Sequence, residues 1–141
     1  MQRNLFLLIW MGQCLIVCQL YHFHYIKDNK KWTEAQQYCR ENHTDLVTVT
    51  NMKDMKRLIS ILPEDWRGAW IGLYDQTHGN RKWRWSLPGV EFNKSETNWY
   101  RDEPNDAWGM QNCGILWDNL KWGDISCNTP FNFLCYNGED I

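Results

Sequence analysis

Long hydrophobic runs, basic runs and catalytic motifs are all scarce in this sequence of 141 residues. The one long apolar run lies at the N-terminus, and no later segment approaches the roughly 20 apolar residues of a membrane-spanning helix. A formal net charge of −2 and the lack of a basic run argue against nucleic acid as a partner. The sequence has no nucleophile elbow, no HExxH motif and no glycine-rich phosphate loop, so we do not expect an enzyme.

Residues 1–18 have the pattern of a secretory signal peptide. Arg3 precedes an apolar stretch that matches a signal-peptide core and is short for a membrane span. The alternative is an uncleaved anchor, but strand-like sequence begins at once and leaves no stalk. We therefore expect residues 1–18 to be a signal peptide cleaved after Cys18 and residues 19–141 to form one domain. The mature protein is then secreted, extracellular and without a membrane span.

Cysteine is even in number and tryptophan is abundant in the remaining chain. Four cysteines are left once the leader is removed: Cys39, Cys113, Cys127 and Cys135. An even number in a secreted domain indicates two disulfides, with three possible connectivities. Of the ten tryptophans, only Trp10 belongs to the leader. Indole rings bury much area and keep an N–H for a polar partner, so the composition predicts a small, aromatic-rich, disulfide-stapled domain.

Two helices are predicted before most of the strands. Residues 33–36 (Thr-Glu-Ala-Gln) form a capping-box pattern that opens a helix running to about Asn42. Asn51, followed three residues later by Asp54, indicates a second helix that ends before Pro63. Its apolar stripe comprises Met55, Leu58, Ile59 and Leu62.

Strand patterns lie on both sides of one long irregular segment. Residues 21–27 alternate, with aromatic side chains on one face and histidines on the other. The other predicted strands are residues 69–73, 82–86, 113–117 and 131–136, and residues 46–50 form a short strand or an extended link. Residues 87–112 show no periodicity, and so long a loop in a compact domain points to function. The organisation predicts an α+β domain.

An ordered set of motifs resembles the C-type lectin-like domain. The set comprises Tyr38-Cys39 on the first helix, WIGL at 70–73, Glu103-Pro104-Asn105, Cys113, Trp122-Gly123-Asp124 before Cys127, and Cys135. It spans residues 21–137, and such a set is far more specific than a single motif. The resemblance implies the double-loop fold in its short form, with two helices packed on antiparallel strands, a long ligand loop and two disulfides. It also implies the pairs Cys39–Cys135 and Cys113–Cys127.

The same resemblance implies a calcium-assisted sugar site in the long loop. Sugar-binding members use a Glu-Pro-Asn motif whose proline peptide is typically cis, and calcium there accepts two sugar hydroxyls. Glu103, Asn105, Gln111 and Asp124 stand at the ligand positions. Two positions depart from the family, because Gln111 replaces a Glu and Gly123 replaces an Asn. Calcium takes about 6–8 oxygen ligands, so we expect weak calcium binding or its loss.

Glycans of the mannose type, or a glycoprotein, are the partners that the Glu-Pro-Asn motif implies. Trp108 would add a face for stacking on a sugar, or would pack over its own loop. The alternative function is calcium-independent protein recognition by a module with no sugar binding. No heptad pattern indicates a coiled coil, and the sequence does not determine the oligomeric state.

Three further patterns bear on the site and the surface. Asn42 and Asn93 begin glycosylation sequons and predict glycosylation. His22 and His24 share one strand face and could nominally share a metal, but no third ligand is placed, so a solvated face is expected. Residues 117–119 (Trp-Asp-Asn) could pass for the family's tryptophan motif, although they lie farther from the next cysteine.

Overall fold

The structure is a computed structural model that describes residues 21–75, 77, 82–105 and 112–138. In these residues the chain forms two helices and seven strands, which confirms the predicted α+β class. They are β1 (Tyr21–Lys30), α1 (Trp32–Asn42), β2 (Asp45–Leu46), α2 (Met52–Ile59), β3 (Gly68–Asp75), β4 (Trp83–Trp85), β5 (Cys113–Trp117), β6 (Trp122–Ile125) and β7 (Phe131–Gly138). The predicted signal peptide, residues 1–18, lies outside the described residues and stays a prediction.

One sheet organises the described part of the domain. Its strand order is β1-β7-β3-β5-β6, with β2 paired to β7 and β4 paired to β3. The pairings are antiparallel except where β3 and β7 meet in parallel, at Trp70 and Phe133. Strand β6 was not predicted, because its four residues are too few to show an alternation. The sheet joins the two ends of the domain, since β1 pairs along β7.

Strand β3 is buried on both faces and separates two hydrophobic clusters. Alternate side chains point to opposite faces of a strand. Accordingly Ile71 and Leu73 join the cluster that holds Met55 and Leu58 of α2. Trp70 joins the cluster that holds the buried face of α1. A strand covered on both sides reads as a continuous apolar run, and residues 69–73 have that composition.

Helix α1 begins at Trp32 rather than at the predicted cap, so the capping box assigned to residues 33–36 is wrong. Lys31 is the N-cap, and its N–H donates to Glu34 Oε1 at 3.0 Å. Tertiary packing sets this start. Trp32 is 4% exposed, and its indole N–H donates to the Ile71 carbonyl at 2.9 Å. Gln36 is therefore left to donate to Ser86 Oγ across the domain.

Helix α2 begins at the predicted cap. Asn51 Oδ1 accepts a hydrogen bond from the Asp54 N–H at 3.0 Å. Met55 and Leu58 are buried as expected, but Ile59 is 40% exposed, so the predicted stripe is too wide. The helix ends at this residue and contacts the core through one narrow face only.

The two disulfides have the connectivity that the resemblance implied. Cys39 of α1 is bonded to Cys135 of β7, and Cys113 of β5 is bonded to Cys127, which follows β6. Neither of the two helices in the described ranges has the length and apolar character needed to cross a membrane.

Candidate functional site

The start of the site is held in place by an extension of the sheet beside β6. The Trp122 N–H donates to the Asn98 carbonyl at 2.9 Å, and the Tyr100 N–H donates to the Trp122 carbonyl at 2.8 Å. Indole packing supports the same segment, because Trp99 meets Trp122 edge-on at 5.6 Å between ring centroids. The last residues before the Glu-Pro-Asn motif are thus fixed against a buried strand.

A tight turn then directs Glu103 toward β6. The Glu103 N–H donates to the Tyr100 carbonyl at 2.9 Å, and Asp102 between them has a left-handed backbone, with φ of 68°. The peptide between Glu103 and Pro104 is cis, as the resemblance implied. The turn places the motif next to the residues that follow Trp122.

Three of the predicted site residues lie together at this point. Glu103 Oε2 accepts a hydrogen bond from the Asp124 N–H at 3.3 Å. Asp124 Oδ1 in turn accepts one from the Asn105 N–H at 3.0 Å. Asp124 is only 2% exposed, whereas the Asn105 side chain lies at the surface. Backbone hydrogen bonds therefore link Glu103, Asp124 and Asn105 in one chain, and each of the two carboxylates accepts one of these bonds.

Gly123 has no room for a side chain. A Cβ at this position would clash with Trp117 Nε1 and would lie 2.7 Å from Glu103 Oε2. The indole of Trp117 thus fills the space into which a side chain at position 123 would extend. Trp117 was predicted as the last residue of a strand and as the start of the competing Trp-Asp-Asn motif, and its contact with Gly123 is the main feature of the site that sequence reasoning missed.

The base of the site is fixed by the β5–β6 hairpin. Cys113 pairs in register with Ile125 and is disulfide-bonded to Cys127. Asn119 closes the hairpin turn, where its Oδ1 accepts from the Lys121 N–H at 2.9 Å. Because Asp124 lies on β6 beside Cys127, this hairpin sets the position of the buried carboxylate.

Comparison with known proteins identifies the family. A model of the lectin C-type domain matches residues 28–137. The chain belongs to the C-type lectin family. It is 34% identical over 119 residues to lectoxin-Enh3 of Pseudoferania polylepis, which covers 77% of this chain and 71% of that protein. It is 28% identical over 147 residues to L-selectin of Rattus norvegicus, which covers 95% of this chain but only 38% of L-selectin's length.

A solved structure agrees with this C-type lectin assignment. The carbohydrate-recognition domain of cow CD23, determined in the presence of a GlcNAc2Man3 oligosaccharide, superposes with a TM-score of 0.75 at 27% identity. The match covers 87% of this chain and 92% of that one. C-type lectin domains are non-enzymatic binding modules, so the expectation that the chain is not an enzyme is confirmed by its family.

Two predicted residues of this C-type lectin site lie outside the described residues. Gln111, a predicted calcium and sugar ligand, and Trp108, a predicted stacking face, both fall within residues 106–111. Their roles stay predictions. Asp118, part of the competing tryptophan motif, lies at the exposed β5–β6 turn, whereas Asp124 is the acid that contacts Glu103 and Asn105.

A cluster of histidines lies at the β1 edge of this C-type lectin domain. The rings of His24 and His43 lie 4.6 Å apart, and His43 Nδ1 is 2.6 Å from Asn137 Oδ1. Burial lowers the pKa of His24, and the charges of His43 and His22 lower it further. Among the described residues no three His, Cys, Asp or Glu side chains are grouped so as to hold a metal ion.

Proposed function

We propose that this C-type lectin domain binds glycans of the mannose type through Glu103, Asn105 and Asp124, with calcium held weakly at the same residues. The observation that carries the proposal is the chain of hydrogen bonds that links Glu103, Asp124 and the backbone of Asn105. The family assignment supports glycan binding. The cow CD23 domain, studied in the presence of a mannose-containing oligosaccharide, supports this class of ligand.

The site offers the type of oxygen ligand that calcium prefers, but fewer such ligands than calcium usually takes. Carboxylate and amide oxygens are calcium's preferred ligands, and Glu103, Asn105 and Asp124 would supply them. The space beside them at Gly123 is filled by Trp117, whose indole offers an N–H donor and no oxygen. With two acids, we expect a dissociation constant of about 10⁻³ M or weaker. When bound, calcium would accept sugar hydroxyls into its shell.

The chain's own groups also orient a sugar. Asp124 is buried, and its carboxylate accepts a hydrogen bond from the Asn105 N–H, which restrains its orientation. Glu103 is half-buried and fixed by the Asp124 N–H, while the Asn105 side chain reaches the surface. Glu103 carries acceptor oxygens and Asn105 carries both a donor and an acceptor, the groups that hydrogen-bond sugar hydroxyls.

Calcium-independent protein recognition is the second candidate, and the contact at Gly123 favours it. A site in which an indole fills one ligand position has lost both a calcium ligand and a sugar donor. The same loop would then present a fixed polar surface to a protein partner. The two candidate functions differ in two ways: only glycan binding uses calcium, and only glycan binding requires a sugar ligand.

A glycan array probed in calcium and again with a chelator tests the proposal. We expect binding to mannose-type glycans that falls at least about tenfold on chelation, a change of about 1.4 kcal/mol. Glu103→Gln should abolish the signal, and Glu96→Gln, an exposed acid outside the site, is the matched control. An array without glycan signal in either arm would favour protein recognition. Signal that persists with the chelator would contradict the calcium part alone.

We also propose that the domain acts outside the cell as a secreted glycoprotein. Two disulfides are typical of oxidising compartments. Asn42 and Asn93, which begin the sequons, are both exposed. Expression with the leader should deliver protein to the medium with an N-terminus at residue 19, and N-glycosidase treatment should lower its mass. Protein retained in the membrane fraction would support the anchor instead.

A further inference from the structure

A groove with cationic walls lies between α1 and the segment that follows β4. Its volume is about 660 Å³, and three cations and one acid line it: Arg40, Lys82, Arg84 and Glu91. Its described lining residues do not include Glu103, Asn105 or Asp124, so the groove is separate from the proposed sugar site. Lys82 and Arg84 are close neighbours in the sequence, and the fold brings the distant Arg40 to them.

Strand β4 and the residue before it direct two of these cations outward. Trp83 and Trp85 are 8% and 5% exposed and face the core. Lys82 and Arg84 alternate with them and are exposed. Residues two apart on a strand lie on the same face, about 6.6 Å apart along it. The buried indoles therefore fix the backbone from which two neighbouring cationic side chains extend on one wall of the groove.

Arg40 supplies the third charge from the last turn of α1. Its Nε donates to Asp45 Oδ2 at 3.2 Å, and its Nη2 donates to the Ser86 carbonyl at 2.9 Å. These bonds fix the plane of the guanidinium, although the side chain remains 46% exposed. Nη1 has no hydrogen-bond partner in the described part of the chain. An arginine already oriented in this way loses little conformational freedom when it binds an anion.

The positive charge of the groove is only partly neutralised. Arg40 is paired with the buried Asp45, and Glu91 is the one acid among the described lining residues. Lys82 and Arg84 form no ion pair with the residues that the structure describes. Guanidinium groups bind tetrahedral oxyanions in a bidentate manner, and an ammonium group adds a point charge. The groove thus has the chemistry of a site for several anionic groups on one chain.

We propose that this groove binds a sulfated polysaccharide through Arg40, Lys82 and Arg84. Single-stranded nucleic acid would need exposed aromatic faces for its bases, whereas Trp83 and Trp85 are buried. A domain with two disulfides works in an oxidising compartment, where sulfated polysaccharides rather than nucleic acids are the common polyanions.

Binding to heparin, measured by calorimetry at several salt concentrations, tests this proposal. The double variant Lys82→Gln/Arg84→Gln should bind at least about tenfold more weakly. The slope of log affinity against log salt should fall by about one for each cation removed. Lys53→Gln/Lys56→Gln removes the same charge from exposed positions of α2 and should bind heparin as the wild type does. Thermal unfolding of each variant verifies the fold, and Arg84→Gln alone is the second variant.

Three outcomes would overturn the proposal. Equal weakening by the α2 control would show that net charge alone drives binding. Equal affinity for desulfated heparin, or for a DNA oligonucleotide, would show that sulfate is not selected. Loss of heparin binding on chelation or in Glu103→Gln would place the polysaccharide at the sugar site. The groove acts independently of calcium, so heparin binding should survive both changes, and inorganic sulfate alone should compete only weakly.

Discussion

At the scale of single residues, Gly123 and Trp117 decide how far this site departs from its family. Gly123 has no side chain at a position where the resemblance implies a calcium ligand, and the Trp117 indole occupies the space that such a side chain would need. The two features depend on each other, because in this arrangement the indole leaves no space for a side chain at position 123. We therefore expect that Gly123→Asn alone would not supply a calcium ligand.

Gly123→Ala should destabilise the domain by about 1–3 kcal/mol, the usual cost of overpacking. The added Cβ would meet Trp117 Nε1 and Glu103 Oε2, and one of them must move. Urea unfolding of the variant gives this free energy directly.

A double-mutant cycle with Trp117→Leu supplies the control. Leu is shorter than Trp and leaves position 123 open, so Gly123→Ala should cost little in that background. In the same background Gly123→Asn should strengthen calcium binding, measured by calorimetry. If Gly123→Ala costs the same with and without Trp117, steric exclusion by the indole is not the reason for the glycine.

At the scale of secondary-structure elements, the β1 edge brings two histidines together. His24 on β1 packs against His43, which caps the end of α1, and His43 contacts Asn137 on β7. The groups that act on His24 are the charges of His43 and His22, besides burial. Protonation here places like charges where three elements meet.

Stability should fall as the pH drops below about 6.5, the ordinary histidine value. The pKa of His24 is lowered in the folded state, first by burial and then by the two neighbouring charges. The unfolded chain therefore binds the proton more readily, and acid favours unfolding. Melting temperatures measured from pH 7.5 to pH 5 check this.

His24→Gln should flatten that pH dependence, and His43→Gln should flatten it in part. Parallel curves for the wild type and His24→Gln would assign the acid sensitivity to other groups. Acid sensitivity is expected at this edge because burial removes water from the His24 imidazole and so disfavours its charged form.

The elements also show what the sequence could and could not predict. Local signals placed α2, because the Asn51 cap acts on a residue only three positions away. They misplaced the start of α1, because Trp32 is drawn into the helix by its bond to Ile71, far along the chain. The family motif located Glu103 and Asp124. No spacing rule could have placed Trp117 over Gly123, because that contact depends on a rotamer across a hairpin.

At the scale of the whole molecule, the two disulfides have different tasks. Cys39–Cys135 links α1 to β7 and closes a sequence separation of 96 residues. Cys113–Cys127 closes a separation of 14 residues around the hairpin that carries Asp124. The first therefore constrains the domain, and the second constrains the site.

Removal of each bridge should separate these tasks. On the chain-entropy estimate, Cys39→Ala/Cys135→Ala should cost about 4–5 kcal/mol and Cys113→Ala/Cys127→Ala about 3 kcal/mol. Small domains have unfolding free energies of only about 5–15 kcal/mol, so urea unfolding is best measured near 15 °C, where stability is typically highest.

The two variants should rank in the opposite order for loss of glycan binding, because only the Cys113–Cys127 bridge belongs to the hairpin that carries Asp124. Folded protein that has lost the short bridge should bind mannose-type glycans more weakly than folded protein that has lost the long one. If the long-bridge variant shows the greater loss of glycan binding, the hairpin does not set the position of the carboxylate.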